Sequence, residues 1–194
     1  MARIIWKEND LVSLKLKDDL YTIGQLLDRP EMRFYNIKSI EDKWENIDLN
    51  DYEPLFKVYV GSKDVLPKLA TGKIKNKTVK PDLKKYEKES YWLRGIDNDG
   101  SYLRGEFLKK NANLVFTEPG KDYWDAPIVK ENINAKNNLD IVIEYEMVNM
   151  YGADDLQERL ITFFETGVNI NTYKFKVFPD LTLEAVKKYQ LKKK

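Results

Sequence analysis

Between Asn9 and Ile37 the chain alternates in a way that only extended backbone satisfies. Val12, Leu14 and Leu16 are apolar, and Ser13, Lys15 and Lys17 between them are polar. A period of two puts one set on each face of a pleated strand. Asp18-Asp19 supplies turn chemistry. Leu20 to Leu27 returns as a second strand interrupted by Gly24, Arg29-Pro30 closes it, and Met32 to Ile37 makes a third. A chain that opens on a run of strands, rather than on strand–helix alternation, points away from a parallel, doubly wound sheet.

The remaining pattern extends that reading. Phe56, Val58 and Val60 alternate with Lys57 and Tyr59, predicting a strand over 55–60. Residues 91–108 read as a hairpin around Asp97-Asn98-Asp99-Gly100, since Asp-Gly between strands is a strong turn signal. Ile141, Ile143, Tyr145 and Met147 predict a strand over 140–148, and Tyr173, Phe175 and Val177 another. Three segments read as helices. Residues 38–53 carry Ser39 and Asp42 as a capping box and Ile40, Trp44 and Ile47 as an apolar stripe. Asp155 to Thr166 carries Leu156, Leu160, Phe163 and Phe164, with Asp154 placed to cap it and Gly167 to stop it. A last short helix follows Asp180 or Thr182 and holds Leu183, Val186 and Tyr189. The expected class is α+β, mostly antiparallel β with two or three short helices.

The chain, residues 1–194, reads as one domain with two similar β-rich halves, about 1–61 and 91–178, joined by a lysine-rich connection. Residues 18–27 align without gaps on 99–108, with Asp, Tyr, Gly and the final Leu matching and Gln25 facing Glu106. A duplicated β-meander and shared hairpin grammar both account for that match.

Composition narrows the chemistry. There is no His and no Cys, which excludes Ser-His-Asp triads, Cys-His pairs, disulfides and Cys-ligated metals. Walker, Gly-x-Ser-x-Gly and Gly-x-Gly-x-x-Gly motifs are missing too. Asp97-Asn98-Asp99 suggests a calcium loop, but Tyr102 stands where an EF-hand needs Gly. We therefore expect no catalytic site, no metal and no cofactor. Glu144 and Glu146 would share one face of a strand, a weak case for carboxylate hydrolysis. Net charge is +1 and no apolar run approaches a membrane span, so the expectation is a cytoplasmic protein with no membrane partner.

Charge is nonetheless uneven. Glu41 to Glu53 holds six acids against Lys43 alone, and Asp140 to Thr166 holds seven against Arg159 alone. These are balanced largely by the run Lys73, Lys75, Lys77, Lys80, Lys84, Lys85 and Lys88. That run has only Tyr86 among it for base stacking, so it reads as a solvated, mobile loop and disfavours nucleic acid. The four tryptophans and twelve tyrosines read mainly as core and edge packing.

The opening segment resembles immunity protein family 26 of bacterial polymorphic toxin systems. Asn9-Asp10-Leu11-Val12, Leu14-Lys15-Leu16, Asp18-Asp19-Leu20-Tyr21, Gly24-Gln25 and Phe34-Tyr35 stand at the family's motif positions, and Leu55-Phe56-Lys57-Val58 looks like its next strand. Asn9 and Leu20 replace glycines of that pattern, and the resemblance covers about Trp6 to Val60. It implies a mostly-β protein that neutralises a cognate toxin domain by binding it, and it brings no catalytic residues. With that implication, Glu41, Asp42, Glu45, Asp48, Asp51 and Glu53 become the candidate toxin-binding acids, with Trp44 and Tyr52 as aromatic anchors. The competing reading is a small nucleic-acid- or ligand-binding β-domain. Oligomeric state is left open.

Overall fold

The computed structural model describes residues 4–97, 108–118 and 125–193. It is α+β and predominantly antiparallel. The described chain forms β1 (Leu11–Lys17), β2 (Leu20–Leu26), β3 (Glu31–Ser39), β4 (Ile47–Asp48), β5 (Pro54–Val60), α1 (Val65–Leu69), β6 (Ala70–Lys73) and β7 (Val79–Lys80). It continues with β8 (Tyr91–Asp97), β9 (Leu108–Phe116), β10 (Ile128–Ile133), α2 (Leu139–Glu144), β11 (Glu146–Met147), β12 (Met150–Tyr151), α3 (Ala153–Thr166), α4 (Lys174–Val177) and α5 (Leu183–Leu191). Two compact units result. One comprises residues 1–85 and 149–169, and the other 86–148 and 170–194. The lysine-rich segment read as a connection up to residue 90 lies, through Lys85, inside the first unit.

The first unit is built on the three strands that open the chain. β1, β2 and β3 pair antiparallel in sequence, and the sheet grows to the order β12-β5-β3-β2-β1-β6, with only β12 parallel to its neighbour. The β1–β2 turn is the two-residue Asp18-Asp19, where Asp19 adopts φ 60. Val12, Leu14 and Leu16 point to one face, as the alternation requires, and join Met32, Phe34, Phe56 and Val58 in the main core. Gly24 leaves room there, since a Cβ at that position would lie 2.6 Å from Met32 Cε. α1 and α3 cover this face. Leu156 and Leu160 of α3 are fully buried, and Phe164 of the expected stripe packs against the same core together with Ile161.

Two side chains lock α3 in place. The Asp64 carboxylate accepts from Ala153 N at 2.7 Å, so a residue distant in sequence caps the helix instead of Asp154. Arg159 is buried with its guanidinium 3.6 Å from the Phe56 ring centroid. It donates to Tyr151 Oη at 2.7 Å and to Asn169 Oδ1 at 2.8 Å, and Asn169 in turn donates to Leu55 O. Gly167 ends α3 in the left-handed conformation, as its sequence position predicts.

The second unit carries the sheet β10-β9-β8-β11, antiparallel except for β11 beside β8. β8 pairs antiparallel with β9, Tyr91 facing Phe116 and Asp97 facing Leu108, so its partner strand lies beyond the residues 101–105 that the sequence pattern assigns to it. The predicted turn, the strand read over 101–107 and the aromatic Tyr123-Trp124 lie outside the described residues, and so does the proposed match of 18–27 with 99–108.

Three expectations are corrected. Residues 38–53 hold no α-helix: β3 runs on to Ser39, a short pairing at β4 follows, and Leu49–Asp51 forms one 3-10 turn. Residues 140–148 are not one strand, because α2 occupies 139–144 before β11 begins. Val142 and Ile143 bury there, one helical turn above Leu139, a spacing hidden among β-branched residues that favour strands. Residues 174–177 form α4, which packs on β9 and buries Lys174 fully, its ammonium donating to Ile143 O at 3.2 Å. Alternating lysines there are not all solvent-facing.

Candidate interaction surface

The second face of the first unit's sheet is covered by chain that has little regular structure. Residues 40–53 and 74–85 run over it and zip together. β4 and β7 pair in parallel, Ile47 with Val79 and Asp48 with Lys80. Asn76 donates to Trp44 O, and Thr78 Oγ1 accepts from Asn46 N. The cover is fixed to the sheet by apolar and polar anchors alike. Trp44, Leu49 and Val79 pack with Leu11, Ile23, Tyr35 and Ile37. Asp82, 1% exposed, sits among Arg33, Tyr35 and Gln25. Gln25 donates to Asp82 O at 2.8 Å and accepts from Asp82 N at 3.1 Å, and Tyr35 Oη donates to Gln25 Oε1 at 2.6 Å.

This arrangement sorts the candidate residues. Glu41, Asp42, Glu45, Asp51 and Glu53 are exposed, and Asp48 is half-buried. Trp44 is 7% exposed and donates its indole N–H to Ser13 Oγ at 2.8 Å, so it is a core residue and not a surface anchor. Tyr52 is 38% exposed. Glu45 pairs with Lys43 at 3.3 Å and Asp48 with Lys80 at 3.1 Å. Hydrogen bonds from the Asn50 side chain and backbone, then from Lys80, hold the Asp48 carboxyl below the ordinary aspartate value.

The lysine run is correspondingly less free than its sequence suggests. Lys73 pairs with Asp10, Lys80 with Asp48, and Lys84 Nζ donates to Asn50 O. The second acidic segment, Asp140 to Thr166, is divided between the two units, and its one base, Arg159, is buried.

Leu83 is what sequence reasoning missed. It is 67% exposed, directly after the buried Asp82, and its N–H donates to Asn50 Oδ1. No periodic signal marks a single leucine in a lysine-rich stretch; only the fold reveals which side it faces.

Elsewhere in the first unit, a groove of about 930 Å³ is lined by Ile4, Ile5, Trp6, Leu66 and Pro67, with Glu8, Asp28, Arg29 and Lys63 giving its rim both signs of charge. In the second unit, Glu144 ends α2 and Glu146 lies in β11, so the pair does not share one strand. Glu144 instead accepts from Tyr189 Oη and pairs with Lys193, clasping α5. Burial pushes the Glu144 carboxyl up, but the bonds from Lys193 and Tyr189 outweigh it and hold its pKa below the ordinary glutamate value. Among the described residues no three carboxylates converge as metal ligands would, and no helix is long and apolar enough to cross a membrane.

No curated protein and no solved structure matches the chain. A family model does, over residues 1–183, which includes the whole first unit and the second as far as the start of α5. The chain thus belongs to the family described as Domain of unknown function (DUF8309).

Proposed function

We propose that this protein is an immunity-type inhibitor, a cytoplasmic, non-catalytic protein that neutralises a cognate bacterial toxin domain by binding it directly. The observation that carries the reading is the fit between the immunity-family motif and the local backbone. The motif's first glycine corresponds to Asn9, whose φ of 65 is the left-handed conformation that glycine favours and asparagine tolerates. At Gly24 a Cβ would meet Met32 Cε at 2.6 Å and Phe34 at 3.3 Å, so a larger residue there requires the Met32 side chain to shift. Gln25, Phe34 and Tyr35 are fully buried. Leu20 is the exception: the positive φ of that turn falls on Asp19, so a glycine at 20 has no conformational role here.

These are structural residues. They support kinship with the immunity proteins and leave the toxin's chemistry open. The exposed acids Glu41, Asp42, Asp51 and Glu53 give the cover a means of steering a basic partner. A nucleic-acid-binding β-domain draws less support, because Lys73, Lys80 and Lys84 are each engaged within the protein.

The test is co-expression with the C-terminal toxin domain encoded by the neighbouring upstream reading frame. Restored growth and a stoichiometric complex on size exclusion are expected. A folded protein that neither protects nor forms a complex overturns the reading. A salt-sensitive gel shift with nucleic acid would favour the alternative.

A further inference from the structure

We propose that residues 75–85 are a latched strap: they lift from the sheet as one piece while the sheet and residues 40–53 stay folded, and lifting uncovers Gln25 and Arg33. This does not depend on the immunity reading above.

The strap is held by polar contacts more than by apolar burial. Of residues 75–85 only Val79 and Asp82 are buried. Residues 40–53, by contrast, sink both Trp44 and Leu49 into the core. The strap's amides end largely on side chains. Asp82 N donates to Gln25 Oε1, Leu83 N to Asn50 Oδ1, Lys84 N to Asp82 Oδ1 and Thr78 N to Asn76 Oδ1. Its share of β-structure is the two-residue β7 beside β4. Ile74 N donates to Leu11 O, so the chain is pinned to the sheet up to Ile74 and the hinge lies just beyond it.

The energetics favour the strap as the element that opens. Closing it buries the Arg33–Asp82 pair, whose side chains are 5% and 0% exposed. When the strap lifts, both charges return to water, and their hydration offsets much of the attraction that is lost. Lifting residues 40–53 would instead expose Trp44 and Leu49, with no such return. Segments with few buried apolar contacts open at a fraction of the global free energy. The contacts also make the opening concerted. Gln25 holds the Asp82 backbone at both N–H and C=O, and Arg33 holds its carboxylate. Asn50 holds the residues on either side, donating to Pro81 O and accepting from Leu83 N. Three consecutive residues are thus tied to β2, β3 and the 3-10 turn together, and none of the three leaves alone.

The experiment is residue-resolved hydrogen exchange of the full chain, repeated at low urea concentrations. The amides of Asp82, Leu83 and Lys84 exchange about 100-fold or more faster than those of β2 and β3, with a shallower urea dependence, because less surface is exposed in the opening. The Ile47 amide, which donates to Thr78 O, exchanges with the strap although it belongs to the other segment. The Trp44 indole N–H, bonded to Ser13, keeps the protection of the sheet. Asn50→Ala removes the bonds to Pro81 and Leu83, and quickens Asp82, Leu83 and Lys84 by one common factor, about 5-fold or more. Val79→Ala, which trims the strap's buried apolar side chain, quickens the same set. Strap amides that exchange at the rate and urea slope of the sheet overturn the proposal. So does an Asn50→Ala variant in which Leu83 alone quickens, since the bonds then open one by one. Exchange of the Trp44 indole together with the strap overturns it as well, because residues 40–53 then lift too.

Discussion

Arg33 and Asp82 form an ion pair at 3.4 Å with side chains only 5% and 0% exposed, joining β3 to a segment with no regular structure of its own. Burying two charges is costly, and their mutual attraction offsets this only where further hydrogen bonds complete the shell. Here the Lys84 N–H also donates to the Asp82 carboxylate, at 2.8 Å, and the Asp82 backbone is held at both N–H and C=O by Gln25. Removing one partner strands the other. Asp82→Ala is expected to cost about 3–5 kcal/mol in urea unfolding, and the double change to apolar residues of similar size much less than the sum of its parts. An Asp82→Ala cost below about 1 kcal/mol would show that the pair does not hold the cover.

Trp44→Ala is expected to cost about 3–5 kcal/mol, as for other large-to-small changes in packed cores. Trp44→Phe keeps most of the volume, loses the bond to Ser13, and is expected to cost about 1 kcal/mol. Toxin binding by the folded Phe variant should be unchanged, which separates a core tryptophan from an interface anchor.

Arg159→Lys tests the lock on α3. A lysine cannot reproduce the fork to Tyr151 and Asn169 or the planar stacking over Phe56. The expected loss is about 2 kcal/mol, visible as a lower urea midpoint. Hydrogen exchange should quicken first in α3.

Acid should loosen α5 through Glu144. Its pKa is depressed in the folded protein, so the clasp contributes its full stability above the ordinary glutamate value of 4.5 and loses it as pH falls through the lower folded value. Thermal melts between pH 7 and pH 3 should therefore drop less steeply for Glu144→Gln than for the wild type, from a lower start. Parallel curves would assign the acid sensitivity to other groups.

The sheet was legible where the sequence carries its own geometry. β1, β2, β3 and β5 announce themselves by alternation and turn residues, and α3 by a repeat closed with Gly167. The failures have a common cause. Residues 40–53 show a helical stripe, yet Trp44 buries against a sheet face that distant strands create, and Ile40 is left 73% exposed. In α2 and α4, β-branched and aromatic residues favour strands locally, and burial of Val142, Ile143 and Val177 decides for helix.

The candidate surface divides in the same way. Sequence alone located the acids, excluded His and Cys chemistry, and marked the strands that form the sheet, because residue type and near-neighbour spacing suffice for those conclusions. It could not distinguish Trp44 from Tyr52, or single out Leu83, because side-chain exposure depends on which distant segments pack together. Asp82 closes against Arg33 and Gln25, Ile47 pairs with Val79, and those long-range contacts turn one aromatic inward and leave a tyrosine and a leucine facing solvent.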